Sequence, residues 1–176
     1  MENLRGRCLM ATPQVKDPHF VQSVVLIYEQ TAKGIAGVVL NKKSQFNTRD
    51  VAERHGYTLT TASDPIYSGG PVNPNAILML HTSEWHSSNT MLVNSDLAVS
   101  SDDIMMMRYL NGDQPKNLRF FSGSAVWSVP QLKNEIKNNH WLTCDLTVAQ
   151  LFSYNSSNQW QLALESAARS AVDTFM

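Results

Sequence analysis

The sequence predicts an α+β protein with an antiparallel or mixed sheet. Strand-like segments follow one another directly in the first half of the chain, and helical segments gather towards its end. Strands and helices do not alternate in the regular way that builds a doubly wound parallel sheet. "SVVLIYE" (Ser23–Glu29) and "IAGVVLNK" (Ile35–Lys42) are apolar, β-branched runs. The segment between them, "QTAKG", has a turn's composition, so the pair reads as a hairpin with a five-residue loop. Apolarity along both runs is continuous rather than alternating, which predicts cover on two faces. "NTRDVAERHG" reads as a short helix, capped by Asn47 or Thr48 and ended by Gly56. "AILMLH" (Ala76–His81), "TMLV" (Thr90–Val93) and "DLAVS" (Asp96–Ser100) supply further strands. "SSDDIMMMRYLNGD" reads as a helix, with Ser100 and Asp103 spaced as a capping box and Gly112 as the stop. "LRFFSGSAVW" returns to strand. Ser128 with Gln131, and Thr147 with Gln150, then mark two helix starts, and Pro130 is tolerated in a first turn. In the last helix Trp160, Ala163, Leu164, Ala167, Ala168, Ala171, Val172 and Phe175 recur as one apolar stripe.

Length and composition set the outer limits. The 176 residues fit one domain spanning 1–176, and 43% hydrophobic residues supply a core. Fourteen basic against fifteen acidic residues leave a net charge of −1, which gives nucleic-acid binding no support. The only basic doublet, Lys42-Lys43, reads as a solvated loop. Cys8 and Cys144 stand far apart in the sequence and by themselves make neither a disulfide framework nor a zinc site. No segment has the apolar length of a membrane span or a signal peptide, so the expected setting is cytoplasmic, with reduced thiols and no membrane partner.

Several chemistries fail on spacing. "HTSEWH" gathers His81, Glu84 and His86, but Trp85 separates the glutamate from the second histidine, so the inverted zinc motif is broken and no metal is expected. "YSGGPV" offers Gly69 and Gly70 to an anion, yet it lacks both the lysine of a P-loop and the spacing of a dinucleotide-binding turn. It reads as a tight turn. Ser122 and Ser124 flank Gly123 as in a nucleophile elbow, but Val126 stands where the second glycine belongs. Cys8 and Cys144 lie among apolar neighbours and read as buried small side chains. No cofactor signature appears.

"LMATPQVKDPHFVQSVVLIYE", "GIAGVVLNK", "GGPV" and "GSAVWSVPQLKNEI", in this order, resemble the YqgE/AlgH family of bacterial proteins from about Leu4 to Leu164. Phe20, Asn41, Gly69, Gly70, Pro71, His81, Trp127, Gln131, Glu135 and Trp141 all match its pattern. The resemblance implies a split sheet folded into a pseudo-barrel with flanking helices. It also implies an uncharacterised activity, linked by name to regulation of alginate synthesis and labelled as transcriptional regulation. The family shows G-Y-A-G-W-x-x-G-Q-L where this chain has Gly123 to Leu132; Ser124 replaces the tyrosine, and Val126 and Pro130 replace two glycines. Lys43 stands where a proline is common.

The resulting expectation is a non-catalytic regulatory protein that binds a protein or small-molecule partner. Its candidate binding residues are Asn41, Gly69, Gly70, Pro71, His81, Trp127 and Gln131. The competing expectation is an enzyme of unknown class with a polar site near Asn41, His81 and Gln131. Direct nucleic-acid binding is the third, and steep salt dependence would reveal it. The stretch around Trp127 is open to two readings: a structural corner anchored by the indole, or the lip of a pocket shared with Gln131.

Overall fold

A computed structural model describes residues 1–153 and 156–175. Ten strands form one curled, mainly antiparallel sheet in the order β10-β1-β2-β3-β9-β6-β8-β7, and β4 and β5 pair beside that path. The strands are β1 (Cys8–Ala11), β2 (Val24–Thr31), β3 (Gly34–Val39), β4 (Lys43–Asn47), β5 (Pro65–Ser68), β6 (Val72–Thr82), β7 (Met91–Leu92), β8 (Leu97–Ser100), β9 (Leu118–Trp127) and β10 (Trp141–Cys144). The helices are α1 (Thr48–Arg54), α2 (Asp103–Leu110), α3 (Val129–Lys137), α4 (Val148–Ser153) and α5 (Ser156–Phe175). They flank a half-barrel, the mixed α+β architecture the sequence predicts. The single parallel ladder among the described residues joins β5 to β9.

β9 organises the molecule. Its first half pairs with β5 and β6, and Ala125–Trp127 pairs with β3. Between the halves Gly123 takes φ +76, where a side chain is strained. That turn splits the sheet. Successive side chains of β9 enter different cores. Phe120 packs with Met79, Trp85 and Tyr109 beneath α1 and α2, whereas Phe121 joins Leu26, Leu80 and Leu151. Ala125 and Trp127 enter a third cluster with Val25, Ile27 and Leu132. β2 shows why its sequence is continuously apolar: Val24 and Leu26 face the second of these cores, while Val25 and Ile27 face the third.

Local signals place most helix ends. Asn47 caps α1 and forms a reciprocal box with Asp50, and Thr147 and Gln150 exchange the same pair of bonds. Ser128 Oγ accepts the Gln131 N–H, but the Gln131 amide turns to Glu135 instead of reaching back, so only half a box forms.

Three expectations need correction. Thr31 pairs with Gly34, so the β2–β3 hairpin turns on two residues rather than five. Ser100 does not cap α2: it remains in β8, and the Asp102 carboxylate accepts the Met105 N–H instead. The stripe of α5 is buried only in its first half. Ala163 is buried, and Trp160, Leu164 and Ala167 pack against the core at its edge. Ala168 and Ala171 are exposed, and Val172 is 56% exposed. The Phe175 side chain lies outside the described residues.

Candidate functional site

Among the described residues, the largest gathering of aromatic side chains lies where α3 meets the ends of β9 and β10. The rings of Phe20, Trp127 and Trp141 form a triangle. Phe20 lies 6.0 Å from Trp127 and 5.8 Å from Trp141, and the two indoles meet edge to face at 5.8 Å. Such tilted contacts suit the ring quadrupoles. Glu135, in the second turn of α3, fastens the group. Its Oε2 accepts the Nε1–H of Trp127 at 3.0 Å and of Trp141 at 2.8 Å. Its Oε1 accepts the Gln131 amide N–H at 3.1 Å. The chain also leaves a cavity of about 330 Å³ here, lined by Phe20, Trp127, Trp141, Glu135, Gln131, Pro71, Val72 and Val126. Gln14, Lys16, Asp17 and His140 provide a polar rim.

Each wall has a local cause. Phe20 rides on a turn in which the Asp17 carbonyl accepts the Phe20 and Val21 N–H groups and the Asp17 carboxylate accepts that of His19. Asn41 holds this turn to the sheet, its Oδ1 accepting from the Val24 N–H and its Nδ2 donating to the Gln22 carbonyl. Pro71 and Val72 are set by the crossing of Gly69 and Gly70 over Gly123. A Cβ at Gly69 would sit 2.3 Å from the Gly123 oxygen, and one at Gly70 would sit 2.3 Å from Ser124 backbone atoms. Gly70 also takes φ +152. These glycines are required by backbone approach, and an anion role is not needed to explain them.

The seven candidate residues therefore divide. Pro71, Trp127 and Gln131 line the cleft. Asn41, Gly69 and Gly70 hold the backbone that carries its walls. His81 is elsewhere, in the middle of the sheet. It is 0% exposed; its Nδ1–H donates to the Thr82 carbonyl at 2.8 Å, and its Nε2 faces the Ser100 hydroxyl at 2.8 Å. Because a carbonyl only accepts, the proton belongs on Nδ1 and Nε2 accepts from Ser100. Burial pushes the His81 imidazole below its ordinary value. Asn41, His81 and Gln131 thus belong to three separate hydrogen-bond systems.

Phe20, Glu135 and Trp141 complete the cleft and were absent from the candidates. Their signal was the same pattern match that singled out Trp127, but no spacing along the chain links the three segments. Val126, in place of a family glycine, needs no left-handed backbone: it sits in β9 opposite Ala36, with its side chain at the cleft. Pro130 occupies the first turn of α3, where its missing N–H costs nothing. Ser124, in place of the tyrosine, shares a hydrogen bond with the Tyr28 hydroxyl at 3.1 Å. Among the described residues no group of three or more His, Cys, Asp or Glu is placed to hold a metal ion, and no helix is long and apolar enough to cross a membrane.

A half-barrel whose split central strand ends in an aromatic cleft defines a class of α+β protein rather than a chemistry. The chain belongs to the AlgH-like family, whose model matches residues 8–171. It is 31% identical to a UPF0301 protein of Marinomonas sp. (strain MWYL1) over 92% of this chain and 88% of that protein. The solution structure of the AlgH protein from Pseudomonas aeruginosa superposes with a TM-score of 0.81 at 30% identity, covering 93% of this chain and 88% of that one. The crystal structure of protein DIP2367 from Corynebacterium diphtheriae shares the fold, with a TM-score of 0.72 at 23% identity over 91% of this chain and 85% of that one.

Proposed function

We propose that the chain is a non-catalytic, cytoplasmic regulatory protein that uses the aromatic cleft to hold an apolar group of a protein or small-molecule partner. The state of Glu135 carries this reading. Both of its oxygens are engaged by donors of the cleft itself, so the carboxylate acts as a fastener for three side chains. What it fastens is a preformed concavity with aromatic walls and a polar rim, a form suited to recognition. The regulatory part of the reading rests on the family alone.

The test is affinity capture from cell extract with a Gln131→Ala, Lys16→Glu double variant beside wild type. Both side chains are exposed at the rim. The expected result is an unchanged melting temperature with at least about tenfold weaker capture of the wild-type partner, as for loss of roughly 1.4 kcal/mol of binding. Equal capture by both proteins, or turnover of a defined substrate by wild type, overturns the proposal.

A further inference from the structure

The two cysteines of the chain, separated by most of its length, are direct neighbours in the fold. In the β1–β10 ladder Cys8 stands opposite Cys144. Facing residues on an antiparallel ladder point to the same side, with Cβ atoms about 4.5–5.5 Å apart. A disulfide needs about 3.5–4.5 Å, a small adjustment for an edge strand such as β10. Both thiols are free, and both are buried in one apolar cluster.

We propose that Cys8 and Cys144 form a cross-strand redox pair, closed by a low-molecular-weight disulfide of the glutathione class and reopened by the corresponding thiol. Cys144, on the edge strand, reacts first. Its thiol loses a proton and the sulfur attacks the oxidant. The oxidant's S–S bond breaks, one small thiol departs with the proton, and a mixed disulfide remains on Cys144. The Cys8 sulfur then attacks the Cys144 sulfur and releases the second small thiol, which takes the Cys8 proton. Two protein thiols have lost two electrons, and one small disulfide has become two thiols.

Access is controlled by α5, which packs across β10 and β1 and places Ala163, Leu164 and Ala167 in the same cluster. Under that cover burial keeps Cys8 well above the ordinary thiol range and pushes Cys144 up to about 12, so exchange waits for the helix to lift. Trp141 lies on β10 as well, so the closed bond also fixes one wall of the aromatic cleft. That last consequence rests on the cleft being the binding site, whereas the bond itself does not.

The experiment equilibrates native protein in glutathione redox buffers, quenches with acid, alkylates, and records the intact mass. The expected oxidised product has lost two hydrogens, carries no glutathione and resists alkylation. It melts about 10 °C higher, because a long loop is closed in the unfolded chain. Amides of Trp141–Cys144 exchange about tenfold more slowly. Cys8→Ala stops at a glutathione adduct on Cys144. Glutathione adducts or linked dimers of wild type, or an internal bond that forms only in denaturant, overturn the proposal. The wild-type mass decides the matter even where a variant fails to fold.

Discussion

Glu135 and His81 both match the family pattern, both are titratable, and both sit beside tryptophan, yet the fold uses them differently. Glu135 lies on α3 at the margin of the sheet and ties Trp127, Trp141 and Gln131 around an open cavity. His81 lies on β6 between β8 and β9, its ring centre 5.3 Å from that of Trp85 with the two planes nearly perpendicular, and is sealed from solvent. A chain of short bonds continues from His81 through Ser100 to the Thr90 hydroxyl at 2.7 Å. On paper His81 and Ser100 make a base and a nucleophile. In the fold both are buried, and the chain of bonds holds β8 and the segment before β7 to β6. Position in the sheet, rather than residue type, separates a site from a strut: the His81 end of β6 is buried, while Glu135 stands on a helix at the sheet margin beside an open cavity.

The comparison is sharpest at Trp127, which belongs to both worlds: it is 4% exposed and still lines the cleft. Trp127→Ala is expected to cost about 3–5 kcal/mol in urea denaturation, as for a large aromatic removed from a packed core. A loss under about 1 kcal/mol would show that the ring serves the cleft alone.

His81→Ala comes next, at about 2–3 kcal/mol, because it leaves the Ser100 hydroxyl without one partner inside the sheet. The same residue sets a pH signature. Its folded pKa lies below the ordinary imidazole value of 6.5, so the unfolded chain takes up a proton before the folded one does. Its contribution is fully present above pH 6.5 and is lost as pH falls from there through the lowered folded value. Stability curves of wild type and His81→Ala should therefore converge on acidification. Curves that stay parallel would place the acid sensitivity elsewhere.

How much of this contrast was legible beforehand follows from how local each cause is. The caps at Asn47 and Ser128 and the doubly covered strand β2 are written in short windows of sequence and are present in the fold, although Gln131 turns to Glu135 and leaves the box at Ser128 half made. Ser100 failed as a cap because β8 needed it for the His81 chain, a tertiary demand that a capping pattern does not reveal. The short strands β1, β4, β5 and β10 carried no periodic signal; they exist because partners elsewhere in the chain pair with them. The α5 stripe continues past the surface it packs on. The cleft was half visible for the same reason. Trp127 and Gln131 share one stretch, but Phe20 and Trp141 arrive on other segments, and the role of Glu135 emerges only once both indoles are beside it.

Glu135→Ala probes the accessible member of the pair. It strips the acceptor from two indole N–H groups, and a cost of about 1–2 kcal/mol is expected, smaller than at His81 because solvent at the cleft can partly replace the carboxylate. The check is a denaturation midpoint together with near-UV circular dichroism, which should change as the edge-to-face indole pair loosens. A cost equal to or above that of His81→Ala would mean that the cleft is as closed as the histidine centre, and the distinction drawn between them would fail.

Gln131→Ala should change stability least and inform most. Its side chain is exposed and its amide bond to Glu135 lies at the rim, so removing it should stay within about 0.5 kcal/mol of wild type. The backbone N–H that Ser128 caps is untouched, so α3 should start as before. The aromatic triangle keeps both indole bonds to Glu135. What changes is the polar edge that a partner would meet, and the freed Glu135 Oε1 becomes an open acceptor beside the cavity. If the cleft recognises a partner, captured partner should fall while the melting temperature holds. If Gln131 only braces Glu135, the melting temperature should drop towards that of Glu135→Ala and capture should follow it in proportion. Measuring both on one preparation separates recognition from bracing.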